Sequence, residues 1–378
     1  MQRADVSDVS DVSDVSDVDL LLDTLRLGSE PDARALVKGW ARCDAHALVR
    51  LVEREGAALW LQRRLRAVAI VLPADATTTL SSATKRAIAQ SLRVDEQLFT
   101  TFALFDDAGI AAVPLKAAAL RRLGARVPYA DARAPNDVDL LLEEHVVQDA
   151  WRLLVGRGYT APSRPPDDGH HLAALVGAMG VGVELHTSTM AVVSPSEAWR
   201  RATFEGAVAD VAGRLRPVPS DTELLWHAMA HVLTDVDESG RALRLRQWVD
   251  AAALLAADAE IDWDRINARI DSPECAHPTL ARAWLRTASD LGGRALPPGA
   301  LGSSRSAPIN IRRLLSWRLR LAARHAPKGR WTEKLAEEGS RGEAGLSPQR
   351  AHRLAGPIAR IRHAVACRAA RAWWLVRR

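Results

Sequence analysis

The stretch Arg133-Ala134-Pro135-Asn136-Asp137-Val138-Asp139-Leu140-Leu141-Leu142 decides how this chain is read. Alternate residues of a strand share one face, so a strand here sets Asp137 and Asp139 side by side. Paired hard oxygen ligands at a strand end are what Mg²⁺ needs when water and nucleotide phosphates fill its other positions. The pair alone proves little, because Asp17-Val18-Asp19-Leu20-Leu21-Leu22 repeats the same letters. That first copy ends a run of Ser-Asp-Val triplets, a low-complexity acidic tract expected to be disordered over residues 1–18. Leu20, Leu21, Leu22 and Leu25 then open a helix.

The surroundings separate the two copies. Before the second, the apolar run Ala111-Ala112-Val113-Pro114-Leu115 predicts a strand, followed by Lys116 and an alanine-rich helical turn from Ala117 to Leu123. A loop carrying Arg126, Asp131 and Arg133 leads into a strand over Asp137 to Leu142, and a helix follows from about Glu143 to Val155. In Val181-Gly182-Val183-Glu184-Leu185-His186 the apolar residues alternate with Gly182, Glu184 and His186, which puts Glu184 and His186 on one face of a further strand.

With these residues in order, the chain resembles the uncharacterised nucleotidyltransferase-like family, whose members read roughly leucine-lysine-glycine, a helix, arginine, then aspartate-hydrophobic-aspartate. Leu115-Lys116, Arg133, Asp137 and Asp139 match in sequence, and His170-His171 with Glu184-Leu185-His186 continue the pattern. Leu224-Leu225-Trp226-His227 with His231, and Arg246-Gln247-Trp248-Val249-Asp250, are similar to its helical segment. The resemblance runs from about Leu104 to Ile270 and rests on the order of several weak motifs. It implies an α+β fold in which a small mixed-sheet core of the nucleotidyltransferase type is flanked by N- and C-terminal helical segments.

The activity it implies is transfer of an NMP group from an NTP to an unidentified acceptor, with Mg²⁺ (or Mn²⁺) as cofactor. Asp137 and Asp139 would bind the metal, and Glu184 would complete a second-metal site and help deprotonate the acceptor. Lys116 and Arg133 would hold phosphate oxygens, Lys116 as a mobile point charge and Arg133 through its bidentate fork. The nucleotide site would include Ala117, which stands where such enzymes open the helix with a glycine that lets backbone amides approach the triphosphate. A noncatalytic nucleotide- or metal-binding module of the same fold is the main competing expectation, and an RNA- or membrane-associated protein governed by its basic C-terminal region is the other.

The remaining candidates are histidines and one acid. His227 and His231 are four apart and share a helical face, but Ala228-Met229-Ala230 between them lacks the glutamate of a zinc protease. Packing beside the cleft, with polar contacts to Asp250 or the acceptor, fits them better. His171 and His186 are candidates to contact substrate, while His170 and His171, just after the loop from Pro162 to Gly169, also read as part of a surface loop.

The 378 residues are 48% hydrophobic, enough for a sizeable core. No window approaches the roughly 18 uninterrupted apolar residues of a membrane span. The acidic start lacks the pattern of a signal peptide, so cytoplasmic location is expected. Cys43, Cys275 and Cys367 are too few and too scattered for a disulfide framework or a cysteine-rich zinc site. High alanine and arginine with few lysines is a composition associated with GC-rich bacterial genomes.

The net charge of +5 conceals an asymmetry, since residues 301–378 hold 18 Lys+Arg against 4 Asp+Glu and the rest of the chain is acidic. Such a basic region suits RNA, DNA, anionic lipid or the acidic body of the same protein, and Trp373 and Trp374 near its end suit packing as well. The expected organisation is a helical region over 19–108, the α/β core over 109–219, a helical region over 220–300 and the basic helical region over 301–378.

Overall fold

The computed structural model describes residues 11–27, 33–122, 127, 129, 131–132, 135–161, 171–190, 193–239, 245–257, 259–275, 277–302 and 307–325. Among the described residues five helices come first: α1 (Asp11–Leu25), α2 (Ala33–Trp40), α3 (Ala45–Arg54), α4 (Ala58–Ala67) and the long α5 (Ala74–Asp107). The mixed segment follows as β1 (Val113–Pro114), α6 (Lys116–Arg122), β2 (Asp137–Leu141), α7 (Val147–Gly156), β3 (Leu175–Val176), β4 (Gly182–His186), α8 (Pro195–Thr203), β5 (Ala207–Val211) and β6 (Arg214–Val218). Helices α9 (Asp221–Ser239), α10 (Leu245–Ala256), α11 (Trp263–Ile270), α12 (Pro278–Gly292) and α13 (Ile311–His325) are the last elements among the described residues. The fold is α+β, with a small mixed sheet flanked by helices.

The main sheet has the order β1-β2-β4-β3. β2 pairs parallel with β4 and antiparallel with β1, which places Pro114 on an edge strand where its missing N–H costs no ladder bond. Period-two alternation sorts β2 and β4. Val138, Leu140, Val183 and Leu185 enter the principal core, whereas Leu141, on the face of Asp137 and Asp139, packs in a smaller cluster with Val113, Leu115, Val193, Ala198 and Ala202.

One continuous core joins residues of the N-terminal helices, the sheet and α9 to α13. Helix α1 supplies Val18, Leu21, Leu22 and Leu25, all buried and spaced i, i+3, i+4, i+7 as one helical face requires. The expectation of disorder to residue 18 is therefore corrected from Asp11 onward. Burial of this apolar stripe against neighbouring helices outweighs the low-complexity signal. Residues 1–10 lie outside the described residues.

The described part of the basic region, α13, packs on the body: Ile311 and Leu315 are buried and Arg312 pairs with Asp19 at 3.3 Å. Arg318 Nη1 reaches the buried Glu55 carboxylate at 2.6 Å, and the same Oε2 accepts the Leu245 N–H at 2.9 Å. Glu55 thereby ties α13 to the start of α10. Next to it Gly56 turns at φ +75°, and a Cβ there would sit 3.1 Å from Arg246 Cδ, so the glycine lets α10 approach closely.

Candidate active site

Each polar residue of the site is delivered by a backbone contact that sequence spacing alone does not show. The parallel register sets Asp137 against Gly182, Asp139 against Glu184 and Leu141 against His186, so Asp139, Glu184 and His186 come to one face. Leu115 N–H donates to the Asp139 carbonyl at 3.0 Å, which brings the next residue, Lys116, over the same carboxylate. Lys116 opens α6 with φ +49°, a conformation unusual for a residue with a Cβ. Ala117 is buried and is not among the residues with positive φ, so its methyl group imposes no left-handed strain where a glycine was expected.

Asp139 is the centre of the arrangement. Lys116 Nζ lies 2.6 Å from its Oδ1, His186 Nε2 lies 2.9 Å from the same atom, and His186 Nε2 is 3.5 Å from Glu184 Oε2. The Asp139 and His186 side chains are almost wholly buried, Lys116 is mostly so, and Glu184 is a quarter exposed. Burial alone would push the Asp139 carboxyl up, but Lys116 and His186 outweigh it and hold the group well below the usual carboxylate range. Burial likewise pulls on Lys116 and His186, yet the neighbouring acids raise both above their ordinary values. The result is a buried carboxylate held ionised between an ammonium and an imidazole.

Ligand atoms of Asp139, Glu184 and His186 lie within 4.8 Å of one another, a group able to hold a metal ion. Two carboxylate oxygens and an imidazole nitrogen at that spacing fit a divalent cation. Asp137 is not in this group. It lines the adjoining cleft, of about 100 Å³, with Lys116 and Asn136 on one side and helices α9 and α10 on the other.

The α9 wall presents Leu224, His227, Ala228 and His231, and the α10 wall Arg246, Gln247, Asp250 and Leu254. Both sets follow helical spacing. His227 is buried, and burial, then Lys116 and His231, hold its imidazole well below its ordinary range, so it is neutral. His231 is exposed and Asp250 is buried.

Of the sequence candidates, the structure gathers Lys116, Asp137, His231 and Asp250 at the cleft, and Asp139, Glu184 and His186 directly beside Lys116. His171 stands behind this row, bridged to His186 along the backbone with ring centroids 5.2 Å apart. Arg133 and His170 lie outside the described residues. Asn136, Arg246 and Gln247 were not singled out as cleft residues from sequence. The signal for the last two was their place on the same turn as Asp250.

The sequence profile of the uncharacterised nucleotidyltransferase family matches residues 41–288, beginning in the N-terminal helices and ending in α12. That is wider than the segment carrying the motifs, and it agrees with a core shared by helices and sheet. No curated protein matches the chain. Among solved structures it is similar to an antigenic nucleotidyltransferase-like protein from Paracoccidioides brasiliensis, at 16% identity and a TM-score of 0.36, over 56% of this chain and 97% of that one. A likeness so distant says nothing of this chain's chemistry. Among the described residues no helix is long and apolar enough to cross a membrane. With most of its length under the family profile and the acidic strands paired as described, the chain belongs to the uncharacterised nucleotidyltransferase family.

Proposed function

We propose that the protein is a metal-dependent nucleotidyltransferase that moves an NMP group from an NTP to an acceptor bearing a hydroxyl. The observation that carries this reading is the parallel register of β2 and β4, which aligns Asp139 with Glu184 beside Lys116 at the edge of a polar cleft. Asp139 and Glu184, with Asp137 at the cleft, would hold Mg²⁺ or Mn²⁺. Such an ion, when bound, neutralises charge on the phosphate oxygens and favours the ionised form of the acceptor oxygen.

Lys116, and Arg133 by family resemblance, would hold the phosphates. The acceptor oxygen would form a bond to the α-phosphorus as the bond to pyrophosphate breaks, and the acceptor proton would pass to Glu184, the most exposed member of the group. His227, neutral and facing the cleft, would orient the acceptor by hydrogen bonding without adding charge. An enzyme that consumes NTP would act in the cytoplasm, where NTPs are held. The basic segment beyond α13 leaves RNA or DNA as one class of acceptor or partner.

One observation favours a second reading, a nucleotide- or metal-binding module without turnover: Lys116 and His186 both occupy Asp139 Oδ1. Radiolabel transfer and pyrophosphate release from each of the four NTPs, with Mg²⁺ or Mn²⁺, separate the two. Turnover or self-labelling in the wild type, lost in Asp139→Asn and Asp137→Asn, is the expected result. Metal-dependent NTP binding by calorimetry with no pyrophosphate release under any condition favours the module, and a folded protein that binds no NTP overturns the nucleotidyltransferase reading.

A further inference from the structure

The donor set differs from an all-oxygen pair of aspartates. His186 lies on the same strand face as Glu184 and directly follows it there, two residues on, and its Nε2 faces both Asp139 Oδ1 and Glu184 Oε2. The atom that bridges the two carboxylates is therefore already aimed at the point where their oxygens converge. Two backbone bonds hold it there: Leu142 N–H donates to the His186 carbonyl at 2.9 Å, and Leu172 N–H donates to the Leu185 carbonyl at 2.9 Å. The ring is buried between Asp139 and the His171 ring. The three ligand atoms all fall within 4.8 Å of one another, a span that one ion can bridge.

Mg²⁺ prefers oxygen and gives up water reluctantly, whereas imidazole nitrogen suits the first-row transition ions. We propose that Asp139, Glu184 and His186 form a mixed nitrogen–oxygen site selective for a first-row transition divalent ion, Mn²⁺ over Mg²⁺, with His186 Nε2 as a direct ligand. Binding displaces the proton of His186 Nε2 to solvent as well as Lys116, whose ammonium sits on Asp139 Oδ1, and release of Lys116 toward the cleft leaves it facing the phosphate position. The ion's catalytic purpose rests on the nucleotidyl-transfer reading, but its ligands can be read without turnover.

Mn²⁺ added to the full-length protein is followed by electron spin-echo envelope modulation and by calorimetric titration against Mg²⁺. Nitrogen modulation from a directly bound imidazole is expected, changing to the ¹⁵N pattern when the protein is grown with ¹⁵N-histidine. Roughly tenfold or greater preference for Mn²⁺ over Mg²⁺ is expected from the nitrogen donor. His171→Gln and His227→Gln should keep the modulation, and folded His186→Gln should lose it. Bound Mn²⁺ without isotope-sensitive nitrogen coupling, coupling that persists in His186→Gln, equal affinity for the two ions, or no Mn²⁺ binding at all would overturn the inference. Nitrogen-coupled Mn²⁺ without pyrophosphate release would leave the site standing and remove only its proposed reaction.

Discussion

The same six residues, Asp-Val-Asp-Leu-Leu-Leu, form a helix at Asp17 to Leu22 and a strand, running into the next residue, at Asp137 to Leu142. In α1 the turns of a helix bring Val18, Leu21 and Leu22 to one buried face, and Asp19 pairs with Arg312 near the surface. In β2 alternation buries Val138 and Leu140 on one side and turns Asp139 and Leu141 to the other. One arrangement leaves an aspartate in a partly exposed ion pair, while the other drives it into the interior beside a lysine and a histidine. The letters carry no preference strong enough to choose, so the partner surfaces choose.

The sharpest way to break this comparison is to remove the equivalent aspartate from each copy. Asp139→Ala leaves the largely buried Lys116 without its nearest partner, and a loss of about 3–5 kcal/mol is expected. Asp19→Ala removes a pair whose side chains are 31% and 51% exposed, and should cost under about 1 kcal/mol. Denaturant midpoints at unchanged m-values read both. Similar losses in the two variants would mean that the Asp139 environment is not as buried or as charged as described.

A smaller effect should appear only around the second copy. His227, near Lys116, has its pKa depressed by burial, so below the ordinary 6.5 the unfolded chain binds a proton that the native state resists. Its contribution is therefore complete above pH 6.5 and falls with acidification, by at most about 1.4 kcal/mol per pH unit. Urea unfolding at successive pH values should show this slope in the wild type and a shallower one in His227→Gln. An unchanged slope in that variant would assign the acid sensitivity to another group.

The smallest effect separates helix from strand directly. Leu21→Val and Leu140→Val each remove one methylene from a fully buried site. Valine is disfavoured in the helix and favoured in the strand, so Leu21→Val should cost more, by roughly 0.5–1 kcal/mol. Equal costs would show that cavity terms dominate conformational preference at both sites.

Much of the mixed segment was legible. The Lys116 helix, the Asp137 strand and the Glu184 strand appear within a few residues of their expected bounds, and Ser220 caps α9 through its Oγ to the Glu223 N–H at 3.3 Å. The β5–β6 hairpin was missed. Its signal is a two-residue turn, Ala212-Gly213, with both φ positive, but a non-glycine at the first position weakens the usual marker. The role of His186 beside the carboxylates was equally hidden, because alternation puts it on the Glu184 face but does not say that β4 lies against β2 in that register.

By itself the sequence determined which residues can share a face: Asp137 with Asp139, Glu184 with His186, and His227 with His231, because helix and strand periods are local properties of the backbone. Only the tertiary structure decided which copy of the repeated letters became a strand, which strand lay beside it and in which register. Those choices rest on hydrogen bonds and buried surface supplied by residues distant in the chain, such as Glu184 for Asp139 and Glu55 for the start of α10.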